Sequence, residues 1–182
     1  IFEELVAHQV SLLSRRAYIQ QIEAPRISTS RQFAKQLLSS LPFEMTNAQK
    51  RVSKEIVQDL KLNKPMLRLV QGDVGAGKTL VAGVAACHVL EEGWQVALMA
   101  PTEILAEQHY LNFKKWFEPL GLSVSWLSGK QKGKARAAAE QAIVDGTAHL
   151  VVGTHALFQD NVRFAKLGLV IIDEQHRFGV DQ

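Results

Sequence analysis

The sequence has one cysteine, few aromatic residues and no long apolar run. Cys87 has no partner within the chain, which excludes an internal disulfide and a zinc site built on cysteine pairs. The longest segment without Asp, Glu, Lys or Arg is 146–159, which has 14 residues, whereas a membrane-spanning helix needs about 20 mostly apolar residues. The chain does not open on a basic leader with a cleavage site. We therefore expect no membrane span and a reducing, cytoplasmic setting.

Charge of one sign is not in large excess either. The 21 Lys and Arg residues against 18 Asp and Glu residues give a net charge of +3, which permits a polyanionic partner without requiring one. With 182 residues, 47% of them hydrophobic and 21% charged, the chain has the composition of a globular domain and is not disordered or collagenous. Because it begins with Ile1 and stops at Gln182 without a terminating element, we interpret it as a fragment of a longer protein.

The spacing of apolar residues divides the chain into a helical segment and an alternating region. Helical periodicity predicts an amphipathic helix over 2–22 and a shorter helix up to Leu41, which Ser30 would cap. From residue 46 onward, helical and strand-like segments alternate as in βα-repeating proteins. The predicted helices are 46–62, 78–91, 103–117 and 133–144, and the predicted strands are 66–71, 95–100, 123–127, 148–152 and 167–172.

Two of the predicted strands are continuous apolar runs, 150–152 and 169–172. Such runs are typical of strands that are buried on both faces of a parallel sheet. The sequence therefore predicts an α/β fold, a doubly wound parallel sheet flanked by helices and preceded by a short helical segment.

A phosphate-binding motif follows the first predicted strand and opens the next helix. The segment GDVGAGKT fits G-x-x-x-x-G-K-[ST], in which glycines let backbone N–H groups face the phosphates and the helix N-terminus adds partial positive charge. In this motif Lys78 reaches the β- and γ-phosphates, and the Thr79 hydroxyl is a Mg²⁺ ligand. A chance glycine turn is the alternative. The predicted phosphate-binding residues are Gly72, Asp73, Val74, Gly75, Ala76, Gly77, Lys78 and Thr79.

Two carboxylates, Asp173 and Glu174, follow the apolar run 169–172. They emerge at the carboxyl end of a buried strand, where open α/β sheets place their ligands. Together with the phosphate loop they predict an ATPase site: Asp173 holds Mg²⁺, directly or through water, and Glu174 orients and deprotonates the attacking water. A solvated loop pair is the alternative. The predicted catalytic residues are Lys78, Asp173 and Glu174.

These motifs resemble those of superfamily 2 helicases. The segment DEQH at 173–176 resembles motif II, the phosphate loop resembles motif I, and the segments 100–109 and 152–157 resemble motifs Ia and Ic, in the order of that family. The longer string DEQHRFGV at 173–180 is similar to the RecG helicases in particular. Residues 2–9 resemble the helix that joins the wedge domain of those proteins to their motor. Transcription-repair coupling factors are also similar, but usually carry Glu where this chain has Gln175.

The resemblance implies the first RecA-like motor lobe of an ATP-dependent double-stranded DNA translocase, with ATP and Mg²⁺ as cofactors. Such an enzyme remodels stalled replication forks and branch-migrates Holliday junctions in DNA repair and recombination. Residues 1–45 would form a helical linker from a wedge domain, and 46–182 an ATP-binding lobe that is incomplete at its C-terminus. Double-stranded and branched DNA, the wedge domain and a second RecA-like lobe would be its partners. We expect a monomer in the bacterial cytoplasm, associated with the nucleoid.

The second lobe of these motors supplies an arginine finger, which contributes about 10³ to 10⁵ in rate. By the resemblance, the fragment alone is therefore expected to be catalytically weak. A regulatory module with a vestigial nucleotide pocket is the main alternative. The presence of Lys78, Thr79, Asp173 and Glu174 together argues against that alternative, because a module freed from catalysis need not retain all four.

Two pairs of residues are candidates for DNA contact or coupling at the ends of predicted strands. Thr102 and Glu103 follow one strand, and Thr154 and His155 follow another. Hydroxyls, amides and helix N-termini at this edge can contact phosphates without reading sequence. For Thr102 and Glu103, a helix cap with an acid in the first turn is the alternative.

Lys130 and Lys132 lie in the segment 130–136, which has four basic residues in seven. Such a segment can neutralise DNA phosphates, or it can be the solvated start of a helix. By the resemblance, Gln175 and His176 couple the nucleotide state to DNA or to the second lobe.

Thr46 and Gln49 resemble the Q motif, whose glutamine contacts adenine in related helicases. The segment TNAQ at 46–49 also fits a capping box, with Thr at the cap and Gln at the third helical position. We expect adenine contact by Gln49, and the two roles can coexist.

Overall fold

A computed structural model describes residues 2–28 and 30–173 of the chain. Helices and strands alternate from residue 78 onward, at or close to the predicted bounds. Among the described helices, none has the length and apolar character to cross a membrane. The elements are α1 Phe2–Gln21, α2 Gln32–Ser40, α3 Asn47–Leu60, α4 Lys78–Glu91, β1 Gln95–Met99, α5 Glu103–Phe117, β2 Val124–Leu127, α6 Gly133–Val144, β3 Leu150–Gly153 and β4 Leu167–Ile172.

The four strands form one parallel sheet in the order β2-β3-β1-β4. Residue Ala97 at the centre of β1 pairs with Val151 on one side and with Val170 on the other. Because all the strands run in the same direction, the segments that follow them meet at one edge of the sheet, the carboxyl edge. The predicted parallel sheet flanked by helices is confirmed.

Helices cover both faces of the sheet. Val96 and Leu98 of β1 face a core that includes Phe113 of α5 and most of α4. Ala97, the residue between them, faces Ile143 of α6 on the other side. Successive side chains of a strand point to opposite faces, so β1 contributes to both layers. Complete burial of a side chain such as Phe113 contributes roughly 1.5–3 kcal/mol.

The predicted strand over 66–71 is wrong, because the structure has no strand there. Met66 and Val70 pack against the core, while Leu69 is 81% exposed. Arg68 forms ion pairs of 2.8 Å with two carboxylates of α3, so the segment is attached to that helix. The apolar residues of 66–71 predicted a strand, but a strand also needs backbone pairing with a neighbour, which apolar composition does not supply.

The prediction that Ser30 caps α2 is also wrong. The helix begins at Gln32 after Arg31, whose φ of 64° is left-handed and which makes no side-chain cap. Glu91 at the end of α4 accepts hydrogen bonds from the Ser30 hydroxyl and from the Gln32 N–H, the latter at 2.9 Å. A remote carboxylate thus binds a free amide at the start of α2.

The segment before α3 packs on the same core as the sheet. Ile27 and Leu37 are 1% and 0% exposed and belong to the core that contains Val96. The Ile27 N–H donates to the Leu60 carbonyl at the end of α3, at 2.9 Å. Ile27 and α2 are therefore held against the core by apolar burial, and Ile27 also by a backbone hydrogen bond.

Candidate functional site

Most of the predicted site residues that the structure describes lie at the carboxyl edge of the sheet. In sheet order, the segments that follow the strands are 128–132 after β2, 154–155 after β3, 100–103 after β1 and Asp173 after β4. The phosphate loop, residues 72–79, lies on the same side because α4 runs from it toward the start of β1. Neighbouring strands are about 4.8 Å apart, so β2 and β4 are separated by about 14 Å. The basic segment and Asp173 therefore lie at opposite ends of this edge.

The phosphate loop has the backbone that its glycines predict. Gly75 and Gly77 have φ values of 84° and 75°, in the left-handed region, and Gly77 is the N-cap of α4. A Cβ atom at Gly77 would lie 2.2 Å from Nε2 of Gln49. The Ala76 N–H donates to the Asp73 carbonyl at 3.0 Å and closes the turn. Glycine at 77 is thus favoured by the left-handed backbone angle, and a side chain there would displace the Gln49 amide.

Lys78 lies folded over this loop. Its ammonium donates to the backbone carbonyl of Gly72 and, at 3.0 Å, to that of Asp73. Thr79 follows in the first turn of α4, where the backbone N–H groups have no partner within the helix. Backbone N–H groups, an ammonium and a hydroxyl are the donor set that a nucleoside triphosphate with Mg²⁺ needs. The residues present therefore fit the predicted ligands.

Asp173 is fixed by two hydrogen bonds at the end of β4. Its N–H donates to the Met99 carbonyl at 2.8 Å, and its Oδ2 lies 2.6 Å from Nε2 of His109 on α5. An ionised carboxylate only accepts, so Nε2 of His109 carries the proton. This arrangement directs the second oxygen, Oδ1, to other ligands. His109 lies in the segment that resembles motif Ia, and the sequence predicted no role for it.

Gln49 makes the capping box and also contacts the phosphate loop. Thr46 Oγ1 accepts from the Gln49 N–H at 3.2 Å, and Gln49 Oε1 accepts from the Thr46 N–H at 2.9 Å. The Gln49 Nε2 donates to the Ala76 carbonyl at 2.8 Å. A primary amide has two donor hydrogens and two acceptor lone pairs, so one of each is left for a base. Adenine contact by Gln49 stays a prediction.

Thr102 and Glu103 both make contacts within the protein. Thr102 Oγ1 accepts from the Leu105 N–H at 3.3 Å and caps α5, as the alternative expected. Glu103 accepts from the Ser128 hydroxyl at 2.7 Å and from the Gly129 N–H at 3.3 Å. The Glu103 carboxylate therefore ties the start of α5 to the loop after β2.

The basic segment contains exposed lysines on a loop held by hydrogen bonds. Lys130 and Lys132 are exposed, and the Lys130 N–H donates to the Ser128 hydroxyl at 3.1 Å. Arg136 points back to the protein, with Nε donating to Glu140 at 2.8 Å and Nη1 donating to the Ser128 carbonyl at 3.2 Å. Within the described part of the chain, Lys130 and Lys132 form no ion pair, and Arg136 supports the loop that presents them.

The remaining predicted residues differ in accessibility. Thr154 is buried, at 4% exposure, whereas His155 beside it is exposed. Only His155 of this pair presents a large surface to a partner. The predicted roles of Glu174, Gln175 and His176 lie outside the described residues.

Comparison with known proteins places the chain in a family. Residues 46–182 match the family model "DEAD/DEAH box helicase". Over 182 residues, all of the chain, it is 58% identical to the ATP-dependent DNA helicase RecG of Escherichia coli strain K12 and 57% identical to that of Haemophilus influenzae. The chain covers 26% of each of these relatives, about a quarter of their length.

Solved structures agree with this assignment. The structure of RecG bound to a three-way DNA junction matches with a TM-score of 0.88 and 42% identity, covering 97% of this chain and 24% of that chain. A hypothetical ATP-dependent RNA helicase from Sulfolobus tokodaii shares the fold, with a TM-score of 0.60 and 22% identity over 78% of this chain and 40% of that chain. The resemblance to RecG helicases that the sequence motifs predicted is confirmed. The chain belongs to the DEAD/DEAH box helicase family.

Proposed function

We propose that the chain is the first RecA-like motor lobe of an ATP-dependent double-stranded DNA translocase of the RecG type. The observation that carries the proposal is the placement of Lys78 in a glycine loop at the same sheet edge as Asp173. Residues 46–182 would be the ATP-binding lobe, and 1–45 the linker from a wedge domain. The parent protein would remodel stalled forks and branch-migrate Holliday junctions, as a monomer in the bacterial cytoplasm at the nucleoid.

Each residue of the proposed nucleotide site would have a distinct role. Lys78 exchanges its two carbonyl partners for β- and γ-phosphate oxygens, and the N–H groups at the start of α4 bind further oxygens. Thr79 and Asp173 would hold Mg²⁺, which when bound neutralises charge on the phosphates. Glu174, adjacent to Asp173 in the sequence, orients and deprotonates the attacking water.

Gln49 would read the adenine edge with the donor and the acceptor that the capping box leaves free. Because its Nε2 already contacts the Ala76 carbonyl, it also joins the base end of the site to the phosphate loop. A side-chain amide that can both donate and accept matches the adenine edge, which supports ATP as the nucleotide.

The DNA surface would be the other end of the carboxyl edge. Lys130 and Lys132 would bind backbone phosphates without reading sequence, as a motor that moves along any DNA requires. His155 and the helix end at Thr102 lie between these lysines and the nucleotide site in sheet order. Gln175 and His176 would couple the two sites. A structure of the related RecG bound to a three-way DNA junction supports branched DNA as the substrate.

A second lobe would complete the enzyme. The chain covers 26% of its relatives, and an arginine finger from a second lobe contributes about 10³ to 10⁵ in rate. The chain by itself should therefore hydrolyse ATP slower than the full-length protein by a factor of this order. Equal turnover by the two would contradict the two-lobe proposal.

The proposal is tested with Lys78→Ala in the full-length protein. We expect fork unwinding and DNA-stimulated ATP hydrolysis to fall by at least about 100-fold, as for loss of a donor that stabilises transition-state charge. Lys132→Ala is the matched control, since it removes a lysine from the DNA end. It should weaken DNA binding and reduce its salt dependence while leaving nucleotide affinity unchanged. Full unwinding by Lys78→Ala would favour a regulatory module with a vestigial pocket.

A further inference from the structure

A side chain of α5 reaches the carboxylate that is assigned to the metal. His109 Nε2 lies 2.6 Å from Asp173 Oδ2, across 64 positions of sequence. The two side chains are 15% and 30% exposed, so the contact is partly shielded from solvent. A charge-assisted hydrogen bond of this length is among the stronger side-chain contacts in a protein.

Both partners of this contact are held by the rest of the fold. The His109 ring packs near the ring of Phe113, one turn further along α5, with centroids 6.4 Å apart. Phe113 is completely buried in the core. On the other side, the Asp173 backbone is fixed by its bond to the Met99 carbonyl. With Oδ2 bound by an anchored ring, the carboxylate cannot rotate freely, and the direction of Oδ1 is set.

We propose that His109 is a positioning residue for Asp173, which orients the carboxylate so that Oδ1 faces the Mg²⁺ of the bound nucleotide. The inference rests on the proposed function, because it takes Asp173 as a metal-binding residue. Hydrogen bonds to ligating groups typically account for about 10- to 100-fold in metal affinity or activity. The phosphate loop makes its contacts without His109. Loss of His109 should therefore weaken only the metal-dependent part of nucleotide binding.

Equilibrium binding separates this role from a purely structural one. A fluorescent ATP analogue is titrated into the full-length protein, once with Mg²⁺ and once with EDTA. The Kd in EDTA divided by the Kd in Mg²⁺ measures the metal-dependent part of nucleotide binding. In His109→Phe we expect this ratio to fall by about 10- to 100-fold, with the affinity in EDTA changed by less than about twofold. His109→Gln, which retains an N–H donor, should recover part of the ratio.

A matched control comes from a second hydrogen-bonded histidine, His149, which directly precedes β3. His149 Nδ1 accepts from the Ser123 N–H at 2.9 Å, at the amino end of β3. His149→Phe should keep the wild-type ratio. Should His109→Phe fail to fold, as judged by circular dichroism, His109→Ala carries the same measurement without added volume.

Results of two kinds would overturn the inference. If His109→Phe keeps the wild-type ratio, whether or not both affinities fall equally, the contact only joins α5 to β4. Wild-type protein that binds no nucleotide, or a Lys78→Ala variant that binds as wild type does, would instead refute the proposed nucleotide site and with it the role of His109.

Discussion

Replacement of Gln49 by glutamate should weaken nucleotide binding while leaving α3 capped. Glutamate also serves at this position of capping boxes, so its carboxylate can accept from the Thr46 N–H as Gln49 Oε1 does at 2.9 Å. It has no N–H to donate. The bond of 2.8 Å to the Ala76 carbonyl is therefore replaced by two oxygens that face each other.

The magnitude follows from the contacts that are lost. A neutral hydrogen bond contributes about 0.5–1.5 kcal/mol, and Gln49→Glu removes the donor to the loop and the donor proposed for adenine. The sum of about 1–3 kcal/mol corresponds to about 5- to 150-fold weaker binding. Thr46→Ala is the reverse experiment, since it removes the cap and leaves the Gln49 amide in place. That change should cost about 0.5–2 kcal/mol of stability with unchanged nucleotide affinity.

Titration of a fluorescent ATP analogue into both variants, with thermal unfolding of each, tests these expectations. Competition by ATP and GTP adds a second comparison. If Gln49 contacts adenine, Gln49→Glu loses its preference for ATP, whereas loss of the loop contact alone lowers both affinities equally. The reasoning is refuted if Gln49→Glu binds as tightly as wild type, or if Thr46→Ala weakens binding as much.

Three further predictions test other parts of the structure. Glu103→Ala removes the acceptor for the Ser128 hydroxyl, in the loop that presents Lys130 and Lys132. This change should lower the affinity for linear duplex DNA by about 3- to 30-fold and leave the nucleotide affinity unchanged. Wild-type duplex affinity in a filter-binding or anisotropy assay would contradict this prediction. Gln95 is buried, and its side chain makes hydrogen bonds of 3.0, 2.9 and 2.8 Å to three backbone groups. Gln95→Leu should therefore lower the free energy of unfolding by about 3–6 kcal/mol. A denaturation midpoint equal to that of wild type would refute this. Burial raises the pKa of the Cys87 thiol from 9.0 to about 12, so iodoacetamide at pH 8 should label the chain only as it unfolds. Because the folded pKa is the higher one, the contribution of this thiol to stability is complete below pH 9 and is lost as the pH rises toward about 12. Rapid labelling of the native chain would show that the thiol is accessible.

Local signals predicted much of the fold. α4 begins at Lys78 and α5 begins at Glu103, as predicted, and Thr102 caps α5, as the alternative expected. The bounds of β4, Leu167–Ile172, are also those of the predicted strand. Caps and periodicity involve residues within a few positions of each other, so the sequence alone contains them.

Contacts between remote segments could not be predicted in this way. The strand order β2-β3-β1-β4 depends on how whole layers pack, and Glu91 replaces a local cap of α2 from 59 positions away. In the candidate site, too, local motifs were predicted and contacts between remote residues were not. The phosphate loop is contiguous and was recognised, but the contact of His109 is with Asp173, which is 64 positions away.

The outer edge of β4 has a consequence for handling the chain. Within residues 2–28 and 30–173, β4 pairs only with β1, and its Val170 and Ile172 side chains are 40% and 51% exposed. An unpaired strand edge beside apolar side chains is a template for pairing with another molecule. Concentrated solutions of the chain alone should therefore aggregate by strand addition, and light scattering should rise with protein concentration well before the chain unfolds.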